Sequence, residues 1–248
     1  MPSLSPEYWD AVAAGDDTTP DGWRRYGRDQ HLALLERWVG APRGRWLKTD
    51  LFEERSPHRA MVPHLGPAAW VGVDLSIEVL RASRGLGPPA LAVSDVRRLP
   101  FRRASFDGIL STSTLDHFEE VASIEVALRE LLRLLRPGGA LVLTLDNPFN
   151  PLMAAHKALP ERISRHTGLM PFAVGRTLSR RRGVEMLERV GFSVTDTTYV
   201  LHPPHVVSSR PARHPWWERR VLPVLGGLGR TPLAPFTGHY VAFLATPR

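Results

Sequence analysis

Apolar residues follow two alternating patterns along this chain: short continuous runs, and runs with helical spacing. The short runs are typical of buried parallel strands, and the first five lie between residues 45 and 146. We predict strands over Arg45–Thr49, Ala69–Leu75, Ala90–Asp95, Phe106–Thr112, Ala140–Asp146, Ser193–His202 and His239–Thr246. The regular alternation with helices predicts an α/β fold with a doubly wound, largely parallel sheet.

Helical spacing of apolar residues, together with capping residues, predicts the elements between these strands. The expected helices are His31–Val39, Ser56–Leu65, Ile77–Ser83, Glu119–Leu135 and Thr177–Val190. The stretch Arg136–Gly139 reads RPGG, a helix stop and a turn. In contrast, residues 203–235 are rich in proline, and we expect a long irregular insertion there.

The carboxyl ends of the predicted parallel strands meet at one edge of the sheet, where doubly wound folds bind ligands. Polar side chains fall at four of these ends: Asp74, Asp95, Ser111 and Asp146. The sequence therefore predicts a ligand site at that edge.

The composition of the 248 residues narrows the chemistry. The chain has no cysteine, which excludes disulfides, thiolate nucleophiles and cysteine metal sites. No apolar run is long enough to span a bilayer and no secretory signal is visible, so we expect a cytoplasmic protein. No histidine pair has helical metal-ligand spacing, and we expect no metal.

The net charge of +7 is unevenly distributed along the chain. Residues 157–248 carry 14 Lys and Arg against 5 Asp and Glu, while residues 1–156 are slightly acidic. A basic surface can attract anionic substrates, nucleic acid or membranes, or it can simply be solvated. No motif that reads a DNA groove precedes it, so we expect no specific nucleic-acid binding.

Several spaced motifs resemble those of class I S-adenosylmethionine (SAM) dependent methyltransferases. From Ser94 the chain reads SDVRRLPFRRASFDGILSTSTLDHFEE, then a helix, then RLLRPGGALVLTL; GVDLS at 72–76 fits the second-strand acid motif. The resemblance covers residues 45–146 and, more weakly, the last two strands. It implies a Rossmann-like seven-stranded sheet, SAM as cofactor, and in-line methyl transfer to a small organic acceptor that is anionic or amphipathic.

The same resemblance divides the chain into parts. Residues 1–44 would form an N-terminal helical cap, and residues 45–248 the methyltransferase-like domain, with cap insertions at about 147–178 and 203–235. We expect these cap segments to select the acceptor, because they carry Trp9, Trp23, Tyr26, Trp216 and Trp217 as aromatic surface. Charge for an anionic acceptor would come from Arg176, Arg180, Arg181 and Arg182.

Two strand-end carboxylates are the clearest cofactor candidates. Asp74 can accept hydrogen bonds from a ribose diol, as in NAD-binding sheets, and Asp95 stands where the family meets the adenine amino group. Both could instead be ordinary helix N-caps. The remaining cofactor residues implied by the resemblance are Leu75, Val96, Ser111 and Thr112.

The first cofactor loop departs from the family pattern. Residues 46–54 contain no glycine; Lys48 stands where the family has an acid and Asp50 where the first glycine would be. The acids Asp50, Glu53 and Glu54 would repel a pyrophosphate, which argues against a nicotinamide cofactor. We predict that Asp50 contacts SAM directly and that Lys48 is positioned by Asp50 or by the SAM carboxylate. The alternatives are a local Lys48–Asp50 ion pair or an acidic helix start.

A hydroxyl acceptor would also need a general base. His117, just after the fourth strand, is the first candidate, followed by His202 and Asn147 at other strand ends. Two other functions remain open. The glycine-free loop could mean a binding module or a reaction without methyl transfer, such as cyclisation. His214–Leu228 could attach to a membrane surface, although its glycines and Pro223 argue against a helix there.

Overall fold

The computed structural model describes residues 5–16, 22–158, 175–203 and 215–248. Seven strands form one sheet: β1 Arg45–Lys48, β2 Ala69–Asp74, β3 Ala90–Val93, β4 Phe106–Thr112, β5 Leu135–Asp146, β6 Phe192–Val200 and β7 Tyr240–Pro247. Their order is β3-β2-β1-β4-β5-β7-β6. The first five strands are parallel to one another, and β7 runs antiparallel to β5 and β6. The predicted seven-stranded α/β sheet is confirmed, and its last strand is reversed.

Eight helices accompany the sheet within the described ranges. They are α1 Pro6–Gly15, α2 Gly22–Val39, α3 Ile77–Ala82, α4 Val121–Leu134, α5 Pro151–Ala158, α6 Arg180–Val190, α7 Pro215–Gly226 and α8 Ala234–Thr237. Ser5, Ser76 and Ser179 cap α1, α3 and α6 by accepting backbone N–H groups. The amino-terminal helix α2 begins nine residues before the predicted start at His31, because polar residues hide the helical spacing there.

The pleat of the strands sends alternate residues to two hydrophobic layers. On one face, Leu47 of β1 joins the largest core cluster with apolar residues of α4 and α6. On the other, the adjacent Trp46 packs with Leu35 of α2 and with Trp70 of β2. Helix α2 is therefore an integral layer of the sheet packing.

Two sequence predictions about local structure are wrong. Residues 56–65 do not form an α-helix but contain the short 3-10 turn Val62–His64, because Glu54 ties this stretch to the β1 loop. The insertion 203–235 is not irregular throughout, since α7 spans Pro215–Gly226 with Pro223 inside it. Burial of Leu222 holds this helix despite its proline. Residues 204–214 lie outside the described part of the chain.

The RPGG turn lies inside a strand. Helix α4 ends at Leu134, one residue before the predicted end, and β5 already begins at Leu135. A register shift between Phe106 and Gly108 of β4 accommodates the turn, where Gly138 adopts a φ of 77°.

Candidate functional site

The order of the strands reverses between β1 and β4, which is the point where doubly wound sheets bind ligands. The carboxyl ends of these two strands are joined by side chains. The Thr49 hydroxyl lies 2.9 Å from Ser111 Oγ and 3.0 Å from Thr114 Oγ1. These bonds fix the start of the β1 loop against the end of β4, and two adjoining cavities open at this edge.

The β1 loop is held by a buried ion pair. Lys48 Nζ lies 3.5 Å from Glu54 Oε1 and also donates a hydrogen bond to the Asp50 carbonyl. Glu54 in turn accepts backbone N–H groups of Met61 at 3.1 Å and Val62 at 3.3 Å. Both charged side chains are about 1% exposed or less. The Lys48 ammonium group therefore braces the loop from inside, and Lys48 does not line either cavity.

The first cavity has about 590 Å³ of open space and lies over the ends of β1, β2 and β3. Its wall combines three carboxylates with an apolar surface. The carboxylates are Asp50, Asp74 and Asp95, and the apolar part comprises Trp9, Phe52, Leu75, Val79, Val96 and Phe118. This mixture can hold a ligand that has both hydroxyl or cationic groups and a flat apolar ring.

Asp74 is fixed at the end of β2 by two backbone donors. Its Oδ2 accepts Leu51 N–H and its Oδ1 accepts Ser76 N–H, both at 2.9 Å. Each carboxylate oxygen keeps further acceptor capacity for a ligand. Burial, and next the nearby charge of Asp50, raise the pKa of Asp74 to about 7. A cationic ligand would favour its ionised form.

Asp50 stands where the two cavities meet and lines both of them. Its Oδ1 accepts Phe52 N–H at 2.9 Å, so the side chain caps its own loop. Burial raises the pKa of Asp50, and the positive charge of Lys48 opposes this effect. Lys48 forms its ion pair with Glu54, and not with the Asp50 carboxylate as the sequence suggested. The Asp50 carboxylate therefore faces the cavities.

Asp95 has a different environment, because the Arg97 guanidinium binds both of its oxygens. Arg97 Nη2 lies 2.6 Å from Asp95 Oδ2, and Arg97 N–H donates to Oδ1 at 2.8 Å. Burial opposes ionisation, but these hydrogen bonds lower the pKa of Asp95. Asp95 therefore contributes a negative charge to the cavity wall at neutral pH.

The second cavity, with about 760 Å³ of open space, adjoins the first and lies beneath α2. The two cavities share Trp9, Asp50, Phe52 and His117. Beyond this shared wall, the second cavity is lined by aromatic and cationic side chains, among them Trp23, Arg24, Arg28, His31, Arg59 and Tyr240.

An ionic network connects the end of α1 to the second cavity. Asp16 pairs with Arg24 at 3.4 Å, Arg55 at 2.8 Å and Arg59 at 2.6 Å. Glu53 adds a 2.6 Å pair with Arg24. The pKa of Glu53 is lowered, because Arg24 and Arg59 outweigh the effect of its burial. Helix α1, which carries Trp9 onto the shared wall, is held in place by this network.

The structure brings together some of the residues predicted from the sequence and not others. Those lining the first cavity are Asp50, Asp74, Leu75, Asp95, Val96 and His117, and Thr112 lines the second. Ser111 is buried against Thr49. His117 lies in edge contact with Trp9, with ring centroids 4.7 Å apart.

Two candidates for the general base lie elsewhere. His202 Nδ1 is 2.8 Å from Thr237 Oγ1, and Nε2 is 3.2 Å from the Tyr199 carbonyl. Asn147 donates to the carbonyls of Pro235 and Gly238. Neither residue lines the two cavities, and both hold the segment before β7.

The predicted arginine cluster also lies apart from the cavities. Arg180, Arg181 and Arg182 line a separate, open depression with Phe149. Sequence reasoning missed His31 and Tyr240, and it named Trp23 only as general aromatic surface. A stripe at helical spacing, residues 23, 24, 27, 28 and 31, was the available signal.

Other features of the described residues bear on ligands. No group of three His, Asp or Glu side chains in these ranges could hold a metal ion. Among the described helices, none has the length and apolar character needed to cross a membrane. The cytoplasmic location stays a prediction.

Comparison with known proteins places this edge in context. The family described as "Methyltransferase domain" matches residues 56–143. A Mycolicibacterium smegmatis protein named as an S-adenosylmethionine-dependent methyltransferase is 28% identical over 172 residues, 62% of this chain and 61% of its own length. The demethylmenaquinone methyltransferase of Mycobacterium bovis is 38% identical over 113 residues, 42% of this chain and 46% of that protein. The chain thus spans less than two thirds of these relatives.

Other matched relatives are named as tRNA methyltransferases, from Arabidopsis thaliana and Mus musculus. Among solved structures, a SAM-dependent methyltransferase of Thermotoga maritima covers 91% of both chains with a TM-score of 0.62 at 16% identity. A [4+2]-cyclase covers 100% of this chain and 93% of its own, with a TM-score of 0.56 at 16% identity. At such identities the structures show a shared fold.

Proposed function

We propose that this chain, which belongs to the class I SAM-dependent methyltransferase family, transfers a methyl group from SAM to a small organic acceptor. The observation that carries the proposal is the pair of adjoining cavities. The first has the carboxylates and apolar surface that the cofactor of this family needs, and the second opens directly beside it. The shared wall of Trp9, Asp50, Phe52 and His117 marks the place where donor and acceptor would meet.

The donor set of the first cavity fits SAM. We assign the ribose hydroxyls to Asp74, whose oxygens have acceptor capacity beyond their two backbone bonds. Leu75, Val79 and Val96 give a flat apolar surface for the adenine ring, with Asp95 at its edge. We assign the cationic part of the cofactor to Asp50, the acid that replaces the first glycine.

When bound, SAM supplies a methyl group on a cationic sulfur. The residues of this chain then have three tasks: to orient the donor, to orient the acceptor, and to keep water out of the space between. Asp50 and Asp74 orient the donor side. Trp9 and His117, in edge contact at 4.7 Å, close the wall between the cavities.

The acceptor we propose is small, with an anionic or amphipathic character. Three guanidinium groups, those of Arg24, Arg28 and Arg59, line the second cavity together with indole rings. Helices α1 and α2 supply six of the sixteen residues that line this cavity, among them both tryptophans and two of the three arginines. This supports the assignment of residues 1–44 as a cap that selects the acceptor.

Binding of SAM and of S-adenosylhomocysteine (SAH) tests this function directly. Isothermal titration calorimetry should show saturable one-to-one binding of both ligands. Asp107→Ala is a matched control, because Asp107 is a carboxylate near the amino end of β4, where it accepts Arg45 N–H. It should leave both affinities unchanged. No binding of either ligand by the folded parent protein would contradict the proposal.

A second candidate function is a reaction without methyl transfer. The glycine-free β1 loop, with a buried Lys48–Glu54 pair at its centre, is the observation that favours it. One matched structure with this fold is that of a cyclase. Tight SAM binding with no transfer of radiolabelled methyl to any of a broad panel of small acceptors would favour this candidate over the first.

A further inference from the structure

His31 has an unusual position on the wall of the second cavity. It lies in α2, and its Nδ1 is 2.8 Å from the carbonyl oxygen of Gly27, one helical turn before it. A carbonyl only accepts hydrogen bonds, so Nδ1 must carry the imidazole proton. Nε2 is therefore the nitrogen with the lone pair, and this buried atom has no hydrogen-bond partner among the described residues.

The surroundings of His31 keep its ring neutral. Burial, as the largest effect, lowers the pKa of His31, and the positive charge of Lys48 acts in the same direction. The bond to Gly27 and the negative charge of Glu53 oppose the shift without reversing it. The ring of Tyr240 faces His31 at 5.5 Å, and Arg24 and Arg28 lie on the same helix. A neutral imidazole with an unpaired lone pair can accept a proton from a ligand.

Tyr240 has the complementary chemistry. Burial, and then the carboxylates of Asp146 and Asp116, raise the pKa of Tyr240 well above its usual value. Its hydroxyl consequently stays protonated and cannot act as a base. Of the two facing rings, His31, with its unpaired Nε2, is therefore the one that can take a proton.

The cavity also selects the rest of the ligand. Trp9 and Trp23 offer flat apolar surface. The guanidinium groups of the lining arginines are paired with carboxylates, but each has five N–H donors and can also bind an anionic group of a ligand. A planar ring with an anionic substituent suits this lining. A hydroxyl on the same ring would satisfy the lone pair on His31 Nε2.

We propose that the acceptor is a small hydroxylated aromatic acid and that His31 is the base that takes the proton of its hydroxyl. This inference rests on the proposed function. In the step, the acceptor O–H bond breaks and its proton passes to His31 Nε2. An oxygen–carbon bond forms to the methyl group, the carbon–sulfur bond of SAM breaks with its electron pair going to sulfur, and SAH is left. The proton then leaves His31 for solvent.

Three probes separate the parts of this proposal: 4-hydroxybenzoate, benzoate, which lacks the hydroxyl, and phenol, which lacks the carboxylate. They are titrated into the full protein with SAH present, and the nitrogen resonances of its histidines are followed by NMR. We expect 4-hydroxybenzoate to bind at least tenfold more tightly than either other probe and to shift the Nε2 resonance of His31. Benzoate as tight as 4-hydroxybenzoate, or a His31 resonance that no probe moves, would overturn the proposal.

His31→Phe keeps a ring of similar size and removes both nitrogens; His64→Gln, at an exposed histidine, is its matched control. We expect His31→Phe to lose the preference for the hydroxylated probe and to keep SAH affinity within about twofold. Transfer of radiolabelled methyl to 4-hydroxybenzoate should fall by about a hundredfold or more, the usual contribution of a general base. Equal transfer by this variant would overturn the role as base. If His31→Phe does not fold, the Nε2 shift in the parent protein decides the site.

The failure of this proposal is distinguishable from failure of the proposed function. A protein that binds no SAH contradicts the function, whatever the probes do. A protein that binds SAH but none of the three probes keeps the function and loses the acceptor class.

Discussion

The two adjoining cavities differ in how the chain builds them. The first lies over strand ends, where Asp74 follows an apolar run directly and Asp95 follows another after one serine. The second is assembled from parts far apart in the sequence, with His31 on α2 facing Tyr240 of β7. A cavity over strand ends is thus encoded locally in the sequence, whereas a cavity beneath a helix depends on how that helix packs over the sheet edge.

We expect the largest effect on stability from the buried Lys48–Glu54 ion pair. This pair lies in the β1 loop, where the family pattern has an acid and glycines. Lys48→Met leaves the buried Glu54 carboxyl group without this cation, and we expect a loss of about 3–5 kcal/mol in the free energy of unfolding. Chemical denaturation of the unliganded protein measures it.

A double variant sharpens this result. Lys48→Met with Glu54→Gln removes both charges and keeps an acceptor for Met61 N–H and Val62 N–H. It should recover most of the lost stability, because the uncompensated buried charge is gone. If the single variant is as stable as the parent protein, the pair does not brace the loop.

The local character of the first cavity explains which parts of the site the sequence predicted. Asp74 could be placed because an acid at the end of a buried parallel strand can point only to the ligand edge. Lys48 was misplaced because its partner, Glu54, is set by the path of the loop to Met61, which strand and helix periodicity do not describe.

The second cavity shows why the remaining residues were missed. His31 was taken as the start of a helix, because residues 22–30 have little apolar spacing. Its place on the cavity wall depends on the packing of α2. This helix buries Leu34 and Leu35 against the sheet, and residues 23, 27 and 31 consequently face the cavity. The fold class could be predicted because strand and helix patterns alternate along the whole chain. A local error, such as the helix predicted over residues 56–65, does not change that alternation.

The next effect in size is that of Asp74 on cofactor affinity. Asp74→Ala removes the acceptor assigned to the ribose hydroxyls, and we expect SAM binding to weaken by about 1–3 kcal/mol. The free energy of unfolding should change less, because the lost bonds to Leu51 and Ser76 are offset by removal of a buried carboxylate. Calorimetry on the folded variant checks both; unchanged SAM affinity would show that the ribose is held elsewhere.

A smaller effect follows from the pKa of Asp74, which burial and Asp50 raise to about 7. The ionised form favours a cationic ligand, so SAM affinity should rise with pH through about 7, by at most about tenfold per unit for one proton. The neutral sulfur of SAH predicts a weaker rise. In the unliganded protein the folded state holds a proton that the unfolded state loses near pH 4, so Asp74 should lower stability as pH rises from about 4 to about 7. A flat affinity from pH 6 to 8 would contradict this environment for Asp74.

The smallest effect should come from the residues outside both cavities. His202→Gln ought to leave SAM affinity within about twofold, because His202 bonds Thr237 and Tyr199 at a distance from the first cavity.

Nucleic-acid binding is the matching test for the basic last third of the chain, since some relatives are named as tRNA methyltransferases. We expect only weak binding that falls steeply with added salt, and a salt-resistant, sequence-dependent gel shift would refute this.

Asp50 is the residue on which the account of the cofactor site depends most. Asp50→Asn keeps the shape of the side chain and an oxygen that can accept Phe52 N–H, and removes the charge. Calorimetry at pH 8, paired with thermal unfolding, should show SAM affinity about tenfold weaker, SAH affinity less affected, and little change in melting temperature. Equal SAM affinity in parent and variant, with both proteins folded, would contradict the claim that this acid takes the place of the glycine loop.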